Sequence, residues 1–255
     1  MTTAGDIFEF LNSIADFASQ ADWDNSGFLV GDARRPVSKI AVTLDIDLPA
    51  VQTAVETGAD LIVSHHPIIF YPLKELTAGK PAYELVQSGI AAICAHTCLD
   101  MAPGGVNDIL ASLLGLENIE TLMSGEAPGV IRTGTRRFDS AERLAGHIAA
   151  ALGAQAVYAD AGKPIDKIAV CGGSGGSYFK DAIEAGMDAF VTGEASHHEF
   201  LEAADAGLSL FAAGHFETEF PVVPVLAARL RERFPQLRVD IIGARSRILR
   251  FPAQR

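Results

Sequence analysis

Cysteine is scarce in this chain: Cys94, Cys98 and Cys171 form an odd set with no CxxC pair among 255 residues. That excludes a disulfide framework and favours a reducing compartment, the cytoplasm. No stretch approaches the roughly 18 uncharged apolar residues of a membrane-crossing helix, so none is expected. Basic residues are also in short supply, 20 against 32 acidic, and the net charge of −12 repels polyanions. Nucleic acid is therefore not an expected partner, and neither is a membrane. The opening segment MTTAGDIFEFLNSIADFASQADWDNSG carries Asp6, Glu9 and Asp16 where a secretory leader has a basic start and an unbroken apolar run. It reads as part of the mature fold.

What is present describes a globular chain: 49% of residues are apolar and 20% charged, which suits a buried core. Ile7, Phe8, Leu11, Ile14 and Phe17 recur at helical spacing, predicting an amphipathic helix that runs to the polar turn Asp22-Trp23-Asp24-Asn25-Ser26-Gly27. Short apolar runs at 40–44, 61–64, 90–95, 168–171, 189–192 and 208–213 then alternate with helical patterns at 49–57, 106–114, 140–151 and 178–185. That alternation indicates βαβ units and mainly parallel sheets, hence an α/β fold.

The chain also repeats itself. Lys39-Ile40-Ala41-Val42 returns as Lys167-Ile168-Ala169-Val170, and at the same offset Ala54, Glu56, Gly58, Asp60 and Val63 match Ala182, Glu184, Gly186, Asp188 and Val191. An ungapped match of this length predicts two related α/β halves, residues 1–122 and 123–255. The linker is expected near 121–128, and the C-terminal strand at 237–242 is free to pair with either half.

Histidine and carboxylate gather at predicted strand ends. Ser64 leads into His65-His66-Pro67, residues 90–95 lead into His96-Thr97-Cys98-Leu99-Asp100, and 208–213 lead into Gly214-His215, with Glu219 four residues further on. Ligand sites of open α/β sheets lie at the carboxyl ends of strands, so the three ends predict one convergent cluster. Adjacent histidines project in different directions, which suits two different ions, or one ion and a substrate, better than chelation of a single ion. His215 and Glu219 share a side if they lie on one helical turn, while Pro221 allows a turn before a helix instead. Imidazole and carboxylate without thiolate suit zinc, iron, manganese or nickel, cations that acidify water and stabilise developing negative charge.

Secondary candidates surround this set. His96 reads either as a ligand or as a residue orienting Asp100, and it stands with Glu219 as a candidate catalytic residue. His197 and His198 follow the second copy of the repeat and are candidate substrate contacts. Asp24 and Asn25 either cap a turn or line the cleft. His147 reads as structural. Cys171-Gly172-Gly173-Ser174-Gly175-Gly176 joins a strand to a helix, so Gly173, Ser174 and Gly175 are candidates for an anion nest that holds a phosphorylated substrate. No Gly-Lys-Ser/Thr follows, so this is not a P-loop.

Four of these motifs occur together: Asp22-Trp23-Asp24-Asn25-Ser26-Gly27-Phe28-Leu29-Val30-Gly31, Ser64-His65-His66-Pro67, His96-Thr97-Cys98-Leu99-Asp100 with Pro103-Gly104-Gly105-Val106-Asn107-Asp108, and Gly214-His215 with Glu219. In this order they resemble the Nif-three-like dinuclear-metal proteins, also labelled type-two GTP cyclohydrolase-like, across the whole chain. The resemblance implies two related α/β domains, a ring-shaped homohexamer and two divalent ions per chain. It assigns His65 and His66 to different ions, Asp100 and His215 as further terminal ligands, and Glu219 as the bridge. Hydrolysis of a nucleotide-like or phosphorylated small molecule, with GTP ring opening as the labelled case, is the activity it implies. A non-catalytic metal-binding or metal-delivery protein is the alternative. Cys98 departs from the residue expected between Thr97 and Leu99, which raises a thiol near the metals as a further expectation.

Overall fold

Both Lys-Ile-Ala-Val segments are strands that turn successive side chains to opposite faces. In the computed structural model, which describes residues 1–126 and 128–245, the strands are β1 (Gly27–Val30), β2 (Lys39–Thr43), β3 (Leu61–Ser64), β4 (Ala91–Cys94), β5 (Glu117–Thr121), β6 (Arg132–Phe138), β7 (Val157–Ala159), β8 (Ile165–Cys171), β9 (Ala189–Thr192), β10 (Ser209–Ala212) and β11 (Arg238–Ile241). The helices are α1 (Ala4–Ile14), α2 (Leu48–Thr57), α3 (Pro81–Ser88), α4 (Thr97–Met101), α5 (Val106–Leu113), α6 (Ala141–Leu152), α7 (Phe179–Glu184), α8 (His197–Asp205), α9 (His215–Glu219) and α10 (Val222–Arg233).

Two sheets result, ordered β1-β4-β3-β2-β11 and β5-β6-β8-β9-β10-β7. The repeat is visible in them. β2, β3 and β4 are parallel neighbours, as are β8, β9 and β10, and an antiparallel strand, β1 or β7, flanks the third member of each triad. The opposite flanks differ: β11 joins β2 in parallel, whereas β6 joins β8 antiparallel and β5 extends that edge. Parallel pairing thus occupies the sheet centres, where helices cover both faces, and every margin except the one formed by β11 is antiparallel.

Alternation along the repeated strands builds the cores. Ile40 and Val42 pack with α1 and α10, while Ala41 faces α2 and α3. Their counterparts Ile168 and Val170 pack with α5 and α6, while Ala169 and Cys171 face α7 and α8. α5 links the two sheets, because Val106 belongs to the first core and Leu110 and Ala111 to the second.

Several boundaries differ from expectation. Residues 121–128 connect β5 to β6 inside the second sheet rather than joining the halves, and Leu122 N donates to Ile131 O across that hairpin at 3.0 Å. The chain later returns to the first sheet, where Val222, Leu226 and Leu230 of α10 enter the first core and β11 pairs with β2. α1 stops at Ile14. Asn12 Oδ1 accepts from Phe17 N at 2.9 Å and Asp16 Oδ1 from Ala18 N at 2.9 Å, so polar side chains take the amides and start a separate 3-10 turn.

Candidate metal centre

The carboxyl end of β3 hands its ladder directly to the histidine pair. His65 N donates to Thr43 O at 3.3 Å and His66 N to Leu44 O at 2.9 Å, while Ser64 Oγ donates to His66 O at 2.8 Å. The backbone therefore stays strand-like past Ser64, and the two imidazoles diverge. His65 is fully buried. Its Nδ1 lies 2.8 Å from Ala95 O, which fixes the proton on Nδ1 and leaves Nε2 as an acceptor. That Nε2 has no hydrogen-bond partner: Asp100 Oδ1 is 3.6 Å away and Glu219 Oε1 3.8 Å. A buried acceptor left open costs about 1–3 kcal/mol, and a cation held also by Asp100 and Glu219 would satisfy it. The donor set fits a metal.

α9 brings the second half of the chain to the same place. Gly214, at φ +104, turns the chain out of β10 so that His215 starts a single helical turn. Four residues on, Glu219 Oε2 lies 3.0 Å from His215 Nε2 and 2.8 Å from His66 Nε2. The helical alternative for this pair is therefore the observed one, and Pro221 stands after it, before α10. Ligand atoms of His66, His215 and Glu219 lie within 4.8 Å of one another, and those of His65, Asp100 and Glu219 do the same. Glu219 belongs to both sets. Carboxylates stand behind the outer ring nitrogens, with Asp45 Oδ1 2.7 Å from His66 Nδ1 and Glu194 Oε2 3.2 Å from His215 Nδ1. Such partners orient imidazole ligands and raise their basicity.

Charge in the cluster is strongly coupled. Burial opposes protonation of His66, but the hydrogen bonds to Asp45 and Glu219 outweigh it and raise its pKa to about 10. For His215 the same opposition is overcome by Glu219 and Glu194, giving about 9. Burial likewise opposes ionisation of Glu219, yet the surrounding His215, His65 and His66 hold its carboxyl well below the usual range. Burial pushes the Asp100 carboxyl up. Protons therefore sit where a cation would, and binding must displace them.

His96 meets Asp100 through its backbone, Asp100 N donating to His96 O at 3.2 Å, while its ring is held elsewhere. Its Nδ1 lies 2.7 Å from Asp24 Oδ1, and Asp24 Oδ2 also accepts from Thr97 Oγ1 at 2.6 Å and Ser26 Oγ at 2.8 Å. Asp24 is thus a buried anchor rather than a turn cap alone. His96 ligand atoms also come within 4.8 Å of those of His65 and His66, so the ligand alternative for His96 stays compatible with the geometry. His66, His96, Asp100, His215 and Glu219 line a cleft of about 800 Å³ together with Trp23, Phe70, Ser174, Gly175 and Tyr178.

The glycine loop is not an open anion nest. Gly172 N donates to Asn107 Oδ1 at 2.7 Å, Gly173 N to Thr218 Oγ1 at 3.1 Å and Gly175 N to Thr192 Oγ1 at 3.1 Å. The glycines serve close packing instead: a Cβ on Gly173, at φ +63, would overlap Glu219 Oε1 and lie 3.3 Å from His215 Nε2. His197 and His198 are exposed on the first turn of α8 and lie outside the cleft lining. His147 Nε2 donates to Leu114 O at 2.9 Å, a structural role. Cys98 is buried in the first core, burial raises its thiol to about 11, and among the described residues it belongs to none of the groups whose ligand atoms lie within 4.8 Å of one another.

Asp45, Glu194, Asn107 and Thr218 were not among the expected site residues. A signal existed for Glu194: at the offset of the repeat it stands where His66 stands in the first copy, and Gly193 where His65 stands. The histidine pair His197-His198 is displaced by four residues from that register and so faces elsewhere.

The profile of Duf34/NIF3 (NGG1p interacting factor 3) matches residues 2–247. The chain belongs to the Duf34/NIF3 family. A relative from Clostridium perfringens named GTP cyclohydrolase 1 type 2 homolog is 30% identical over 240 residues, covering 89% of this chain and 91% of the relative. The NGG1-interacting factor 3 of Saccharomyces cerevisiae is 32% identical over 254 residues, covering 85% of this chain and 87% of that protein. The crystal structure of the Staphylococcus aureus hypothetical protein SA1388 superposes with a TM-score of 0.90 at 26% identity, covering 98% of this chain and 99% of that one. Among the described residues of this Duf34/NIF3 member, no helix is long and apolar enough to cross a membrane.

Proposed function

We propose that this chain binds two divalent cations and acts as a metal-dependent hydrolase on a nucleotide-like or phosphorylated small molecule. The observation that carries the reading is the pair of donor sets that share Glu219, one with His66 and His215 and one with His65 and Asp100. Zinc, iron, manganese and nickel all suit these donors. When bound, the cations would acidify water and stabilise negative charge developing on the substrate. The chain's own residues do the rest. Glu219, common to both donor sets, would hold both ions, while Asp45 and Glu194 hold the outer nitrogens of His66 and His215. His96, tied through Nδ1 to Asp24, keeps Nε2 for taking or giving a proton in the cleft. Ser174, which donates to Glu194 at 2.5 Å and lines the cleft, is the member of the glycine loop best placed to touch substrate.

The name of the Clostridium perfringens relative brings a GTP-like substrate into this reading. Assembly as a homohexamer in the cytoplasm completes the proposal. The decisive experiment combines elemental analysis with turnover on a nucleotide panel, with and without chelator, in wild type and Glu219→Gln. Two ions per chain and turnover abolished by chelation and by the substitution are expected; turnover indifferent to both would end the hydrolase reading.

One observation favours metal delivery as the second reading. His66 and His215 also border a cavity of about 830 Å³ on the side of Asp45, Asp47 and Glu194, an acidic approach by which an ion can exchange without crossing the cleft. Ion transfer to an acceptor chelator with no turnover on the whole panel would select it.

A further inference from the structure

Trp23 is the only tryptophan of the chain, and it is 59% exposed although it lines the same cleft as His66, Asp100, His215 and Glu219. Its exposed face has no packing role within the chain. Its position, however, is built. Asp24, the next residue, is held by Ser26, Thr97 and His96. Asn25 Nδ2 then donates to Ile69 O at 2.5 Å, tying this turn to the loop that carries Phe70. The two rings meet with centroids 5.9 Å apart, and each lies 6.1 Å from the His96 ring at an interplanar angle of 74°.

The chain's own side chains offer a phosphate no cationic partner in this cleft, so its charge would fall to the bound cations. Among the described residues no lysine or arginine lines it, whereas Asp22, Asp100, Glu126 and Glu219 do. Three amides of the glycine loop are already engaged by Asn107, Thr218 and Thr192. An aromatic face remains, and any planar ring can stack on it. We propose that Trp23 and Phe70 form a ring-recognition wall of the metal cleft, on which a planar aromatic or heteroaromatic group of the substrate stacks against the exposed face of Trp23. This rests on the hydrolase reading for its substrate and adds that the ring, not the phosphate, is what the chain's own side chains select.

The single indole is its own reporter. Metal-loaded protein is titrated with guanosine, adenosine and cytidine, and separately with ribose 5-phosphate, while tryptophan emission is followed. A nucleoside should quench saturably and ribose 5-phosphate should not. By equilibrium dialysis, Trp23→Ala should weaken nucleoside binding roughly 5- to 100-fold and Trp23→Phe less, both with wild-type metal content. No saturable quenching by any nucleoside, or unchanged affinity in Trp23→Ala, overturns the wall. A smaller assembly mass in Trp23→Ala with unchanged nucleoside affinity assigns the indole to a subunit contact and overturns it as well. Binding is read without turnover, so failure of the wall leaves the hydrolase reading standing, and chelator-indifferent turnover removes that reading without touching the binding result.

Discussion

A methyl group placed on Gly173 should empty the metal centre without altering any metal ligand. Gly173 has φ +63, in the left-handed region, where an L-residue is strained by about 1–2 kcal/mol. The steric effect is larger. Its Cβ would overlap Glu219 Oε1 and lie 3.0 Å from Glu219 Cδ, where ordinary contact begins at 3.4 Å. Glu219 is buried on its other sides by three imidazoles and cannot retreat without leaving His66 and His215. Because Glu219 is common to both donor sets, both of the proposed ions should be lost together, and the metal content of Gly173→Ala should fall to well under half that of wild type. Elemental analysis after gel filtration measures this, with circular dichroism to show that the variant is folded. An anion nest at the same loop makes the opposite prediction, since no ligand lies in it. A folded Gly173→Ala with full metal content would refute the packing argument.

Three further outcomes follow from the cluster. Of the two donor sets that share Glu219, His65 belongs only to the one with Asp100, so in His65→Ala about half the metal should remain by elemental analysis; complete loss would show that the proposed ions bind as an inseparable pair. Apparent affinity for the ion proposed at His66 and His215 should rise about a hundredfold per pH unit between pH 7 and 8, because both imidazoles, at about 10 and 9, are protonated there and each must lose its proton; chelator competition giving a pH-independent affinity would contradict it. Metal-free protein should lose thermal stability as pH rises from about 6.5 through 9 and 10, since a raised folded-state histidine pKa stabilises below the unfolded value and that contribution disappears above the folded one. A melting temperature constant across that window would count against the charge coupling.

Chain-local signals determined much of this protein. The short apolar runs at 40–44 and 168–171 predicted buried strands, because a strand between two helical layers must be apolar on both faces. His65, His66, Asp100, His215 and Glu219 were legible because each follows a run whose pattern ends at a strand's carboxyl edge, where side chains leave the sheet. β5 and β6 were not legible: Glu117–Thr121 is exposed throughout, and the charges of Arg132–Phe138 mask a strand that is held by pairing to β8 rather than by its own apolar content.

Tertiary structure alone decided the partners. Asp24, distant in sequence from His96, takes its Nδ1, and that choice depends on how β1 pairs with β4. The glycine loop's composition suits a nest or a tight contact equally well; the approach of Glu219 from α9 makes it a contact. Likewise β11 joins the first sheet only because α10 packs back on the first core. Local propensity and periodicity act over a few residues and can be read along the chain, whereas hydrogen-bond partners and close approaches depend on long-range packing that only the folded arrangement supplies.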